Sequence, residues 1–75
     1  MEKELKIICA ILSDMGIDDV SSDISLNENG IDSTERVDFI ISIEEKLGIN
    51  LEEDDIGNMT LIEIGNLLKE RLKKW

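Results

Sequence analysis

The chain has no histidine, no proline and no tyrosine, and only one cysteine, one tryptophan and one phenylalanine in 75 residues. Each absence removes a class of chemistry or architecture. Without histidine, no serine or cysteine has the usual base to take its proton, so hydrolysis through an activated nucleophile fails at once. Zinc is out of reach with one cysteine and no histidine. A single cysteine cannot form an internal disulfide, which fits a reducing, cytoplasmic setting. Without proline, helices run uninterrupted and no rigid linker is expected. With so few aromatics, the core falls to Ile, Leu and Val. No apolar run approaches the roughly 20 residues needed to cross a bilayer. Nothing resembles a signal peptide, and no Gly-rich phosphate-binding motif is present.

Acid is what the chain has in excess. The formal net charge is −10. Residues 14–55 hold fourteen acids against two bases, whereas the flanks hold four acids and six bases. Such a centre repels nucleic acid and anionic lipid and attracts basic protein surfaces. The whole chain, residues 1–75, is expected to form one domain and a monomer. A chain of this size buries only about 60% of the surface its unfolded form exposes, so the core is small. A cleft that would hold paired carboxylates for acid–base catalysis is hard to build on that scale, and the chain is read as a non-enzyme.

Hydrophobic spacing gives an all-α reading. Over residues 2–15, Leu5, Ile8, Leu12 and Met15 recur at three- and four-residue steps, with Ile11 and Cys9 beside the stripe. Cys9 is read there as a small core residue. Gly16 suits the position just past the helix end. Residues 17–31 form a long connection, over which Ile17, Val20, Ile24, Leu26 and Ile31 can pin the chain to a bundle. A second helix is expected from Ser33 to Leu47, ended by Gly48, with Val37, Phe39, Ile40, Ile43 and Leu47 facing inward. Glu35, Asp38 and Glu45 gather on its opposite face with Ile41 at the border, while Glu44 falls among the apolar positions without an evident partner. The acidic run Glu52–Asp55, with Ile56 and Met59, predicts a short third helix over about 53–58. Thr60-Leu61-Ile62-Glu63 is a capping box that opens a last helix, whose apolar face carries Leu61, Ile64, Leu68, Leu72 and Trp75. Gly65 beside that face allows a close helix approach or leaves room for a ligand, and is read as a packing glycine. The expected fold is a small four-helix bundle of three longer helices and one short helix, with a long first loop.

One stretch organises the rest. In Gly30-Ile31-Asp32-Ser33-Thr34-Glu35, Asp32 can cap the second helix and Glu35 sits three residues on, a D-x-x-E capping box. Ser33 then occupies the first helical position, beside unpaired N–H groups and the positive end of the helix dipole, where a phosphate is favoured. The same region invites comparison with a calcium loop, because Asn27-Glu28-Asn29-Gly30 resembles part of an EF-hand. With Gly30 at loop position 6, position 1 is Ser25 and position 12 is Arg36, so the two strongest ligands are missing. No metal site is expected. Loose divalent binding on the acidic face would only relieve self-repulsion.

Gly30-Ile31-Asp32-Ser33, the following Val37, Ile40 and Ile43 and the pair Glu44-Glu45 resemble the acyl carrier proteins, and the likeness runs over nearly the whole chain. The resemblance implies 4′-phosphopantetheine on Ser33, donated from coenzyme A by a phosphopantetheinyl transferase. It further implies a free-standing carrier that holds acyl groups as thioesters for fatty-acid, polyketide or other lipid biosynthesis. Asp32, Glu35, Asp38, Glu44, Glu45 and Ile41 match residues that such carriers present to acyl-processing enzymes with basic docking surfaces. Thr34 stands where the family usually has leucine, and Arg36 and Lys46 interrupt an otherwise acidic helix. These departures open a specialised pathway beside housekeeping fatty-acid synthesis. The alternatives are a peptidyl or aminoacyl carrier, or an unmodified acidic adaptor that docks through the same helix.

Overall fold

A computed structural model describes residues 2–51 and 55–73 of the chain. Three α-helices carry the fold: α1 (Glu2–Asp14), α2 (Ser33–Leu47) and α3 (Leu61–Lys73), with no strand among the described residues. The expected contributions of Glu52, Glu53, Asp54 and Trp75 lie outside those residues.

The three helices bury one stripe each. Ile8, Ile11 and Leu12 of α1, Phe39 and Ile43 of α2, and Leu61, Ile64 and Leu68 of α3 form one cluster. Apart from the adjacent Ile11 and Leu12, their spacings are three, four and seven, which keep each set on one side of its helix. Two expected inward residues depart from this. Val37 is 52% exposed, because it lies two residues before Phe39, and positions two apart face different ways on a helix. Cys9 is exposed rather than in the core, so of the two residues bordering the α1 stripe only Ile11 is buried.

The long first loop is part of the core. Leu26 and Ile31 are fully or nearly buried in it, and Ile17 and Val20 pack at its border, while Ile24 is half-buried. Polar side chains fold the loop on itself. The Asn29 amide donates to the Ser21 and Ser25 carbonyls at 3.0 and 2.9 Å, and its oxygen accepts from Ser21 N–H at 2.8 Å. Ser25 and Glu28 exchange backbone-to-side-chain bonds at 3.1 and 3.0 Å. The residues that resembled calcium ligands are therefore engaged in holding the loop, and no metal-binding group of side chains occurs among the described residues.

The expected short fourth helix is only a 3₁₀ turn over Ile56–Asn58. Its described backbone bonds are of the 3₁₀ kind, Asn58 N–H to Asp55 O at 3.2 Å and Met59 N–H to Ile56 O at 3.1 Å. The first loop holds its far end, where Asn27 N–H donates to Gly57 O at 3.0 Å and Leu26 N–H to Met59 O at 3.2 Å, so the turn does not run on toward α3. Ser25 and Thr60 complete an isolated antiparallel bridge, and Met59 is extended.

The last helix starts at the Thr60–Glu63 capping box, with reciprocal bonds of 2.8 and 3.0 Å. Near its other end Arg71 donates to the Asn50 carbonyl and ties α3 to the segment after α2. On α1, Glu4 is held below the usual carboxylate range chiefly by a hydrogen bond from its own backbone amide, with a further pull from Lys69 of α3. The first turn of α1 thus lies beside the later turns of α3.

Candidate functional site

The site begins at a change of direction. Gly30 adopts φ +84°, the left-handed region that a side chain resists, and this turns the chain so that buried Ile31 anchors the approach to α2. Asp32 follows in an extended conformation as the N-cap. Its Oδ1 accepts from Glu35 N–H at 2.8 Å while Glu35 Oε1 accepts from Asp32 N–H at 3.1 Å, so the expected capping box is complete. That box fixes the first turn and holds Ser33 at its start.

Ser33 is exposed, and its hydroxyl and the N–H groups of Ser33 and Thr34 have no hydrogen-bond partner among the described residues. An exposed hydroxyl beside two free amides and the positive end of a helix suits a phosphoester. The hydroxyls of Ser25 and Ser13 are already engaged. Ser25 is buried and accepts from Glu28 N–H, and Ser13 donates to Asp18 at 2.7 Å.

Around Ser33 the helix presents three kinds of surface. Asp38 and Glu45 are exposed acids on the outer face. Ile41 is 47% exposed, and Val37 stands between it and Ser33 at four-residue spacing, so the two make an apolar strip leading from the serine. Val37 is the residue that sequence reasoning missed for this surface; its offset from Phe39 was the available signal. The third surface belongs to Arg36, whose position three residues before Phe39 puts it on the core-facing side. Its Nη1 donates to Asn27 Oδ1 at 3.0 Å. A Cβ built on Gly57 would come within 2.9 Å of Arg36 Cδ and Nη1, so glycine there makes room for the arginine.

The expected acids are not equivalent. Asp32 and Glu35 are tied into the cap. Glu44, which lacked a partner in the sequence, accepts from Leu51 N–H at 2.7 Å and holds the chain after α2 in place. Of these acids, Asp38 and Glu45 are exposed and take no hydrogen bond among the described residues. A separate open groove of about 480 Å³ between α1 and α2, lined by Ile11, Asp14, Met15, Ser42, Glu45 and Lys46, does not include Ser33.

Residues 5–68 match the protein family described as "Phosphopantetheine attachment site". No curated protein matches the chain.

Proposed function

This chain belongs to the phosphopantetheine attachment-site family, whose domains hold 4′-phosphopantetheine covalently on a serine, and we propose that the serine here is Ser33. The observation that carries this is the exposed Ser33 hydroxyl at the first position of α2, beside two N–H groups that donate to nothing among the described residues. The residues fit the group. When bound, its terminal thiol supplies the thioester that carries an acyl chain. The chain's own residues fix and present the attachment point: Gly30 turns the backbone, Ile31 anchors it, and the Asp32–Glu35 box holds the first helical turn.

A carrier serves other enzymes rather than catalysing, and this chain reads as an acyl carrier of the cytoplasm. Its acidity favours an acyl over a peptidyl cargo, since peptidyl carriers tend to be less acidic. Asp38 and Glu45, with the Val37–Ile41 strip, form the surface offered to the transferase and to acyl-processing enzymes. Asp32, Glu35 and Glu44 add negative potential there while bracing the helix. Charge of this kind raises association rates without a large apolar interface, so a partner can be released after each step. The acyl group is one of fatty-acid, polyketide or related lipid assembly, and Thr34 and Arg36 point to a specialised set of partners.

The test is intact mass after incubation with coenzyme A and a broad-specificity phosphopantetheinyl transferase. Wild type should gain one phosphopantetheinyl group and Ser33→Ala none. No gain with several transferases would favour an unmodified adaptor instead.

A further inference from the structure

We propose that Arg36 is the phosphate-binding residue for the arm on Ser33, and that loading the serine draws its guanidinium from Asn27 to the phosphodiester. The inference rests on the reading of Ser33 given above. Arg36 lies three residues after Ser33, so the two side chains share one side of α2 about one turn apart, where Cβ atoms are about 5–6 Å from each other. Side chains on a helix lean toward its N-terminus, which brings the guanidinium back over the turn that carries Ser33. Among the described residues its one hydrogen bond is to a neutral acceptor, Asn27 Oδ1, and no carboxylate there pairs with it.

Charge around the serine makes the same case. Asp32 and Glu35 place two carboxylates within the first turn, and a phosphodiester adds a third negative group. The helix end offsets only about half a charge. Arg36 is the cation that the sequence places in this turn, and its position is prepared by Gly57, where any side chain would displace it. Arginine hydrogen bonds to phosphate oxygens are charge-assisted and about twice as strong as those to neutral acceptors. An amide oxygen therefore loses the guanidinium once a phosphate is within reach.

The exchange has a structural consequence. Asn27 also donates from Nδ2 to Asn58 Oδ1 at 3.1 Å and from its backbone to Gly57 O at 3.0 Å. Arg36 thus clasps α2 to the seam between the first loop and the 3₁₀ turn. Moving it to the phosphate frees Asn27 Oδ1, so attachment at Ser33 is felt at Asn27 and Asn58.

Nuclear magnetic resonance on the apo and loaded full chain tests this, with intact mass confirming attachment. Loading should shift the Arg36 Nε–H and the Asn27 side-chain amide in wild type. In Arg36→Gln the Asn27 response should vanish and the ³¹P resonance of the phosphodiester should move; Arg36→Lys should restore part of the ³¹P position. About 1 M salt, where the screening length is about 3 Å, should reverse much of the wild-type shift. Unmoved Arg36 and Asn27 resonances on loading, with the same ³¹P position in wild type and Arg36→Gln, would overturn the proposal. Should Arg36→Gln fail to fold, the wild-type apo and loaded spectra decide alone. A chain that takes up no arm defeats the reading of Ser33 and this inference together, whereas a loaded but unresponsive Arg36 defeats only the latter.

Discussion

Two adjacent glutamates on α2 have opposite duties. Glu44 accepts from the N–H of Leu51, whose side chain is fully buried, whereas Glu45 is exposed and has no partner among the described residues. Removing an acceptor from a buried donor costs about 1–3 kcal/mol, while a surface change away from such features stays within about 0.5 kcal/mol. Glu44→Ala should therefore lower the melting temperature by at least about 4 °C and Glu45→Ala should barely move it. Equal melting curves for the two variants would remove Glu44 from the structural role. Gly30 gives the complementary case. Nothing crowds a Cβ there, so the cost of Gly30→Ala comes from φ +84° alone. That cost is about 1–2 kcal/mol, read as a drop in the urea midpoint with an unchanged slope. An unchanged midpoint would mean that the turn relaxes without loss.

At the scale of the element, α2 has an inner face that packs into the core and an exposed outer face. Asp38→Lys with Glu45→Lys changes only outward side chains, so helical circular dichroism should stay the same. Association with a transferase should slow and lose its salt dependence, because steering by exposed charge is what salt screens. An unchanged rate would count against docking through the acidic face. Much of this helix was readable beforehand. Ser33 as its first residue, Gly48 beyond its end and the Asp32–Glu35 box follow from short-range chemistry written in adjacent letters. What local pattern could not supply were partners distant in sequence. The acceptor for Leu51 and the Gly57 space beside Arg36 depend on chain segments meeting in the fold. The 3₁₀ turn that ends at Asn58 belongs with these, since a loop some thirty residues earlier bonds to Gly57 and Met59 and fixes where it stops. Val37 failed differently: apolar character placed it inward although its angular position did not. Cys9 and Ile11 border the α1 stripe alike, and only the packing of the other helices decides that Ile11 is the buried one.

For the whole molecule, one quantity acts on everything at once. Fourteen acids and two bases fall in residues 14–55, within a body whose longest dimension is 32 Å. At about 0.01 M salt the screening length is about 30 Å, so nearly every acid repels every other; at 0.15 M it is about 8 Å, and only neighbours do. The unfolded chain spreads the same charges farther apart, so repulsion is greater in the folded state and its relief stabilises folding. Salt also weakens favourable surface pairs, but each of those contributes only about 0–1 kcal/mol, and the described surface is dominated by acids. Repulsion should win. The melting temperature of the unloaded chain is therefore expected to rise as sodium chloride goes from about 0.01 to about 0.15 M. Most of the rise should come at the low end, where the screening length shrinks below the size of the molecule. Asp38→Lys with Glu45→Lys removes part of the repulsion, so that variant should start from a higher melting temperature in low salt and gain less on salt addition. A melting temperature that falls with salt in wild type would mean that attractive pairs outweigh the repulsion. The acidic surface would then be part of what holds the fold together, rather than a charge kept exposed for partners at the expense of stability.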